Sequence, residues 1–327
     1  MWLFELSWST QTIIFLASLI LVIKIYLHWT CGVCTSTKRL DGKTVIITGA
    51  NTGIGKETAM DMALRGARVI LACRNLDRAN AARDEIIAST RKTNVIVKHL
   101  DLASLKSVRA FAHDILKTEN RLDILINNAG LAALGPELTE DGLDNQMQSN
   151  HFGHFLLTNM LLGLIKKSAP SRIINVASEA HRFPRKLDFD NLNFKTDGKG
   201  LFKIYGVTKL CNVLFTKELA SRLKGTDVSA YSLHPGAVKT DFGRFVPKII
   251  QAFLWIAASG FLKSAKEGAQ TTIYLAVTEN LEGLSGSYFS DCKVAKESKL
   301  AKDEGLAKKL WEVSEELVKI QKDELHL

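Results

Sequence analysis

The stretch LFKIYGVTKL, residues 201–210, sets a tyrosine and a lysine four positions apart among mostly apolar neighbours. In a helix, positions i and i+4 share one face, so Tyr205 and Lys209 would touch. An ammonium beside a phenol favours the phenolate and lowers the tyrosine pKa from its usual value near ~10. Such a pair suits general acid–base work nearer neutral pH. Taken alone, the pattern also fits a core-edge tyrosine in a lysine-rich chain. The second stretch with chemical potential is TGANTGIG, residues 48–55. Gly49 permits a tight turn, Gly53 lets backbone approach a pyrophosphate, and Gly55 allows close helix–strand packing. Asn51, Thr52 and Ile54 complete this candidate cofactor turn. The helix that follows would offer unpaired N–H groups and the positive end of its dipole to phosphates. A plain turn is the alternative, and its place between a first strand and a first helix favours the cofactor.

The residues ACRN, 72–75, end the next apolar run. Sites for NAD place an acidic residue about 20 positions after the glycines, for the ribose hydroxyls. Here Cys73 occupies that region and Arg74 follows. A guanidinium there would accept a 2′-phosphate, so NADP(H) is expected over NAD(H), with a plain surface arginine as the alternative.

Elements must hold these groups together, and from residue 40 strands and helices alternate. The β-branched or apolar runs TVIIT (44–48), RVILAC (68–73), VIVKHLD (95–101), LDILINNAG (122–130), RIINVAS (172–178) and VSAYSLHP (228–235) read as six strands. Helical stretches are expected over 57–67, 76–90, 104–118, roughly 140–165 and about 200–223. This rhythm implies an α/β, Rossmann-type doubly wound parallel sheet with helices on both faces. Beyond 300, Leu306, Leu310, Val313, Leu317 and Ile320 recur at helical spacing and predict a docking helix.

The 327 residues are 46% hydrophobic and 24% charged, which suits one catalytic domain with an ample core. Five cysteines form no disulfide framework and suit a reduced compartment. A net charge of +9 suits an anionic cofactor or membrane face, or simply a solvated surface, and no nucleic-acid motif accompanies it. No metal-ligand set is expected: Cys31-Gly-Val-Cys34 has the spacing but no second pair. From Leu6 to Ile23 no charge occurs, and a helix of that length spans about 27 Å, close to a hydrocarbon core. With Glu5 and no basic residue at the start, a retained anchor is expected rather than a cleaved leader. Lys24, Lys38, Arg39 and Lys43 follow the span and put the main domain in the cytosol. The organisation is thus an anchor over 1–30, a linker over 31–39, a catalytic domain over 40–300, and a C-terminal helix and tail over 301–327. The KDEL within the terminal KDELHL is expected to be coincidence, because two residues follow it and the domain is expected to face the cytosol.

Thr48–Gly55, Asn127-Asn128-Ala129-Gly130, Ser178, Tyr205-x-x-x-Lys209 and Pro235-Gly236 stand in the order of the short-chain dehydrogenase/reductase family, which the chain resembles. The segments GANTGIGKETA, ACRN, NHFGHFLLTN, VASEAH, LCNVLFTKELA, HPGAVKT, EGAQTT and SGSYFSDCK are similar to those of the microsomal retinol dehydrogenases, in particular the retinol dehydrogenase 12-like members. The resemblance implies a catalytic tetrad of Asn150, Ser178, Tyr205 and Lys209. Tyr205 would exchange the proton with the carbonyl oxygen and Ser178 would hydrogen-bond that oxygen. Lys209 would tune Tyr205 and hold the nicotinamide ribose, and Asn150 would hold a water behind it. It also implies that Asp101 meets the adenine and that Asn128 and Gly130 line the cleft. Pro235, Gly236, Val238 and Thr240 would close over the nicotinamide. Two departures stand out: Ala177 replaces a serine common before Ser178, and LAALGP (131–136) replaces a bulkier segment that would shape the substrate pocket.

The nearly continuous apolar run IIQAFLWIAASGFL, 249–262, is too short to span a bilayer and reads either as a core helix or as an interfacial element beside the pocket. The resemblance implies an NADP(H)-dependent oxidoreductase interconverting retinal and retinol, mainly reducing all-trans-retinal. It further implies an enzyme of the endoplasmic reticulum membrane, with one span and the catalytic domain facing the cytosol, while the anchor itself would equally serve a lipid-droplet or mitochondrial membrane. The rival readings are a reductase of other lipophilic carbonyls, such as steroids or lipid aldehydes, and a nucleotide-binding membrane scaffold without catalysis. The oligomeric state is left open.

Overall fold

The computed structural model describes residues 30–133, 135–194, 201–238 and 262–326, together with Gln11, Thr12, Ile14, Phe15, Ser18, Leu19, Val22, Tyr26 and Trp29. Most of the expected anchor, Thr240 and nearly all of the 249–262 run lie outside the described residues. Among the described residues, no helix is long and apolar enough to cross a membrane.

The six expected strands form, as β1 Thr44–Thr48, β2 Arg68–Cys73, β3 Val95–His99, β4 Ile124–Asn127, β5 Ser171–Val176 and β6 Val228–His234. Two further strands, β7 Tyr288–Ser290 and β8 Lys293–Val294, extend the sheet at the β6 edge. The order is β3-β2-β1-β4-β5-β6-β7-β8, parallel throughout except for the last pair. All five residues of β1 are buried, as a strand covered on both faces requires. Its side chains alternate between two cores. Ile46 packs on one face with residues of helices α3 Leu105–Thr118, α4 Gly153–Lys167, α5 Leu201–Arg222 and α7 Glu304–Leu317. Val45 and Ile47 pack on the other with α1 Gly53–Leu64, α2 Leu76–Thr90 and α6 Ala265–Val277.

Chain order reverses at β1: β2 and β3 build outward on one side, β4 to β7 on the other. That places a crevice beyond the carboxyl ends of β1 and β4, where open α/β sheets bind their ligands. The glycine-rich turn leaves β1 there, and Asn128–Gly130 leaves β4 there.

Three differences from the sequence reading have physical reasons. The expected helix over 140–165 starts as a short turn at Asn145–Met147, widens into a π turn at Gln148–Phe152, and only then becomes α4. One inserted residue leaves no mark on apolar periodicity. β7 and β8 are too short for a strand pattern to register, and α6 carries Gly268 and two threonines that weaken its helical signal. On α7 the buried face is Ala307, Leu310, Trp311 and Ser314, while Leu306, Val313 and Leu317, and Ile320 beyond the end of the helix, are only partly buried around it. Trp311 stacks edge-on against Phe155 of α4 at 4.9 Å, which docks the C-terminal helix as expected. In the KDEL stretch, Glu324 is ion-paired with Arg109 at 2.6 Å.

Candidate active site

The glycine-rich turn has the geometry its residues suggest. Gly49 and Gly53 take positive φ of 65° and 56°, a region that side chains rarely enter. A Cβ on Gly55 would sit 2.5 Å from the Asn128 Nδ2 and 2.6 Å from the Gly49 carbonyl oxygen, so only glycine fits. The start of α1 is unlike its neighbours. Helices α2, α3, α6 and α7 each open with a side chain that accepts a first-turn N–H, from Asn75, Ser104, Ser264 and Asp303. At α1 the position belongs to Thr52, whose side chain makes no cap bond, and the first turn carries no acid. Its N–H groups and dipole are therefore left for an anion, which fits a dinucleotide pyrophosphate.

The end of β4 is bolted to this turn through Thr48. The Thr48 Oγ1 accepts the backbone N–H groups of Asn128 and Ala129, both at 2.9 Å. The Asn128 amide returns a bond to the Thr48 carbonyl at 2.8 Å. Sequence reading quoted Thr48 only as the start of a motif and gave it no task, because a strand-end threonine has no distinguishing pattern.

The four groups of the expected tetrad converge beside this turn. Asn150 projects from the π turn, Ser178 follows β5, and Tyr205 and Lys209 lie on α5. Asn150 is pinned on three sides: its Oδ1 accepts from Leu131 N at 2.8 Å, and its Nδ2 donates to Leu131 O at 2.9 Å and to Thr208 Oγ1 at 3.0 Å. Thr208 donates in turn to the Tyr205 carbonyl at 2.8 Å, joining the π turn to α5. A Cβ on Gly130 would meet Lys209 Nζ at 3.2 Å and Asn150 Oδ1 at 3.5 Å, so Gly130 lies over both. The Ser178 hydroxyl, which accepts from Ala180 N at 3.2 Å, hydrogen-bonds the Tyr205 phenol.

One electrostatic expectation is corrected. Lys209 and Tyr205 do share a face, with the ammonium 5.5 Å from the phenol ring centroid. The ammonium, however, donates to the Val176 carbonyl at 3.0 Å, and the net shift of the phenol is upward rather than downward. Burial dominates and pushes Tyr205 up to about 12, against a smaller downward pull from the Ser178 hydrogen bond. Although Tyr205 keeps some exposed surface, its ring sits deep among protein atoms. Burial likewise pulls Lys209 down to about 8.

At the other end of the crevice, Cys73 is buried with its thiol pushed up to about 11, so it offers no charge. Arg74 follows it into solvent, its side chain 59% exposed and its guanidinium 4.0 Å from the Asp101 carboxylate. These two expected adenine-end residues are therefore neighbours, one from the end of β2 and one from just past β3. After β6, Gly236 has φ of 91°, and a Cβ there would meet the Lys263 side chain at 2.6 Å. Val238 bridges to Lys263, and a Cβ on Gly268 would meet Val238 Cγ2 at 2.6 Å and Ile54 Cγ1 at 3.2 Å. Lys263 and Gly268 thus seat the Pro235–Val238 segment against the glycine-rich turn. Neither was a candidate from the sequence, although EGAQTT was among the quoted segments.

Comparison with known proteins agrees with this geometry. Residues 43–189 match the model of the family described as short chain dehydrogenase. The chain is 50% identical to retinol dehydrogenase 11 of Mus musculus over 293 residues, covering 89% of this chain and 91% of that one. It is 47% identical to retinol dehydrogenase 12 of Homo sapiens over 290 residues, 89% and 90% of the two chains. Among solved structures, an uncharacterized protein from Mycobacterium Paratuberculosis superposes with a TM-score of 0.71 at 34% identity, over 89% of this chain and 98% of that one. The RhlG/NADP complex of Pseudomonas aeruginosa shares the fold at 24% identity and a TM-score of 0.63, over 82% and 98%. With relatives this similar over nearly their whole length, the chain belongs to the short-chain dehydrogenase/reductase family, within its retinol dehydrogenase group, and is an oxidoreductase.

Proposed function

We propose that this protein is a membrane-anchored, NADP(H)-dependent enzyme that interconverts retinal and retinol and mainly reduces all-trans-retinal. The observation that carries the reading is the convergence of Tyr205, Ser178, Lys209 and Asn150 beside an uncapped helix N-terminus at the sheet's switch point. When bound, the nicotinamide dinucleotide supplies or takes the hydride. Tyr205 gives the proton to the carbonyl oxygen in reduction. A phenol held near 12 is protonated at neutral pH, the form reduction needs. Ser178 donates to the same oxygen and stabilises the charge that develops on it. Lys209 holds the nicotinamide ribose with N–H groups beyond the one on Val176, and Asn150 fixes the water behind it. Arg74 takes the 2′-phosphate, Asp101 beside it meets the adenine, and Pro235, Gly236, Val238 and Thr240 close over the nicotinamide.

The substrate reading is supported by relatives named for retinol. Its lipophilic character is supported at the N-terminus, where Ile14, Phe15, Leu19, Val22, Tyr26 and Trp29 all stand exposed, Trp29 by 87%. Such a run is costly in water and suited to lipid. The chain leaving it is tied to the nicotinamide end of the site: Gly32 N donates to Asp291 Oδ1 at 3.2 Å, and Asp291 pairs with Lys263. A carbonyl dissolved in the bilayer would then have a short route to the site. The basic residues after the span support a catalytic domain that faces the cytosol.

The test supplies all-trans-retinal with NADPH or NADH to membranes carrying the full chain, with empty membranes and Tyr205→Phe as controls. NADPH-dependent retinol absent from both controls is the expected result. No retinol, with steroid or lipid-aldehyde turnover instead, would overturn the substrate.

A further inference from the structure

Buried at the start of α4, four residues after Asn150, is His154, which is 2% exposed and uses both ring nitrogens. Its Nε2 lies 2.9 Å from Thr48 Oγ1, and its Nδ1 lies 3.0 Å from the Asn150 carbonyl oxygen. Counting hydrogens fixes which nitrogen carries the proton. The Thr48 hydroxyl has two lone pairs and one hydrogen. Both lone pairs are taken by the N–H groups of Asn128 and Ala129. A third donor has no place, so Thr48 must donate, and its acceptors are His154 Nε2 at 2.9 Å and the Ile126 carbonyl at 3.5 Å. The nearer acceptor is the imidazole. Nε2 is then the bare nitrogen, and Nδ1–H donates to the Asn150 carbonyl.

We propose that His154 is a positioning residue that holds the cofactor turn and the catalytic Asn150 in one fixed relation, as a neutral Nδ1–H tautomer bridging Thr48 to the π turn. A continuous path results. The Asn128 and Ala129 amides donate to Thr48, Thr48 to His154, and His154 to the Asn150 carbonyl. The Asn150 side chain then donates to Thr208, and Thr208 to the Tyr205 carbonyl. The path matters because Leu131 and Thr208 hold only the Asn150 side chain, while the His154 bond ties the backbone of the π turn to the cofactor turn. Burial and the nearby Lys209 charge pull the imidazole down to about 4, which keeps it neutral across physiological pH. The inference rests on the proposed roles of Asn150 and of the glycine-rich turn.

Three variants separate the two bonds. His154→Asn places a donor near the Nδ1 position and abandons Thr48. His154→Gln reaches the Nε2 position and abandons the Asn150 carbonyl. His154→Leu abandons both. On the full chain in detergent, His154→Asn and His154→Gln each break the bridge at one end, so each is expected to weaken NADPH binding, as read by fluorescence titration, and to lower kcat, both by about 10-fold. His154→Leu should lose little more than either, since one broken bond already opens the path. NADPH binding and kcat within about 3-fold of the parent in all three variants, with only Tm lowered, would overturn the proposal and leave a merely structural histidine.

A second measurement needs no substrate. Histidine-labelled protein, with the His154 signal assigned by its loss in His154→Gln, should show a protonated Nδ1 and a bare Nε2 in nitrogen-15 spectra, unchanged from pH 5 to 8. A protonated Nε2, or an imidazolium, would overturn the bridge. Because the spectra and the NADPH titrations involve no carbonyl, failure to turn over retinal would strike the proposed substrate and leave this test standing.

Discussion

Replacing Lys209 by methionine should make the protein more stable while removing its activity. The side chain is 2% exposed, and burial pulls its pKa from the ordinary value near ~10.4 to about 8. At about 1.4 kcal/mol for each tenfold change in proton affinity, keeping this ammonium charged costs the folded state about 3 kcal/mol at neutral pH. The sign follows from proton counts. Between pH 8 and ~10.4 the unfolded lysine holds a proton that the folded one has released, so stability rises with pH across that window. Below pH 8 the whole penalty is present.

Methionine is unbranched, of similar length and uncharged, and escapes the penalty. It forfeits the bond to the Val176 carbonyl, worth about 1 kcal/mol. That carbonyl keeps the Asn212 amide as a donor at 3.3 Å, so it is not orphaned. The net gain is roughly 2 kcal/mol, or about 3–4 °C in Tm for a domain of this size. Thermal unfolding of the detergent-solubilised protein, without added nucleotide, would measure it. At pH 7 Lys209→Met should melt above the parent, and by pH 10 the gap should close. A variant that melts below the parent by the same margin at both pH values would refute the reasoning.

Other consequences follow from the same geometry. Arg74→Asp should weaken NADPH by roughly 10–100-fold, the scale of one charge-assisted contact, and leave NADH within about 3-fold, as read by paired titrations. Equal loss for both nucleotides would remove Arg74 as the discriminator. Gly55→Ala would push a methyl onto Asn128 and the Gly49 carbonyl, so a loss of about 2 kcal/mol by denaturant unfolding and no measurable NADPH binding are expected.

Where the sequence was legible, the physics was local. The runs TVIIT and RVILAC could hardly be anything but buried parallel strands, and the glycines after β1 pointed to a tight turn, which Gly49 and Gly53 make with positive φ. Tyr205 and Lys209 were readable as one face because four positions make one helical turn. What escaped depended on partners far along the chain. His154 looks like any polar residue in an apolar helix until Thr48, over a hundred positions earlier, is placed against it. The π turn that aims Asn150 leaves no periodic trace, and Gly268 matters only because Val238 and Ile54 press on it. The Tyr205 electrostatics were misjudged for a related reason. Spacing showed that lysine and phenol share a face, but burial and the Val176 carbonyl, which decide the charges, are properties of the packed fold.

The central claim is that Tyr205 and its neighbours reduce retinal with a hydride from bound NADPH. The most direct measurement uses NADPH with deuterium at both nicotinamide C4 positions, all-trans-retinal, and membranes carrying either the parent chain or Tyr205→Phe. The account predicts retinol with one deuterium on the carbon bearing the hydroxyl, formed about 100-fold or more slowly by Tyr205→Phe. Retinol without deuterium, or an undiminished rate in Tyr205→Phe, would contradict it.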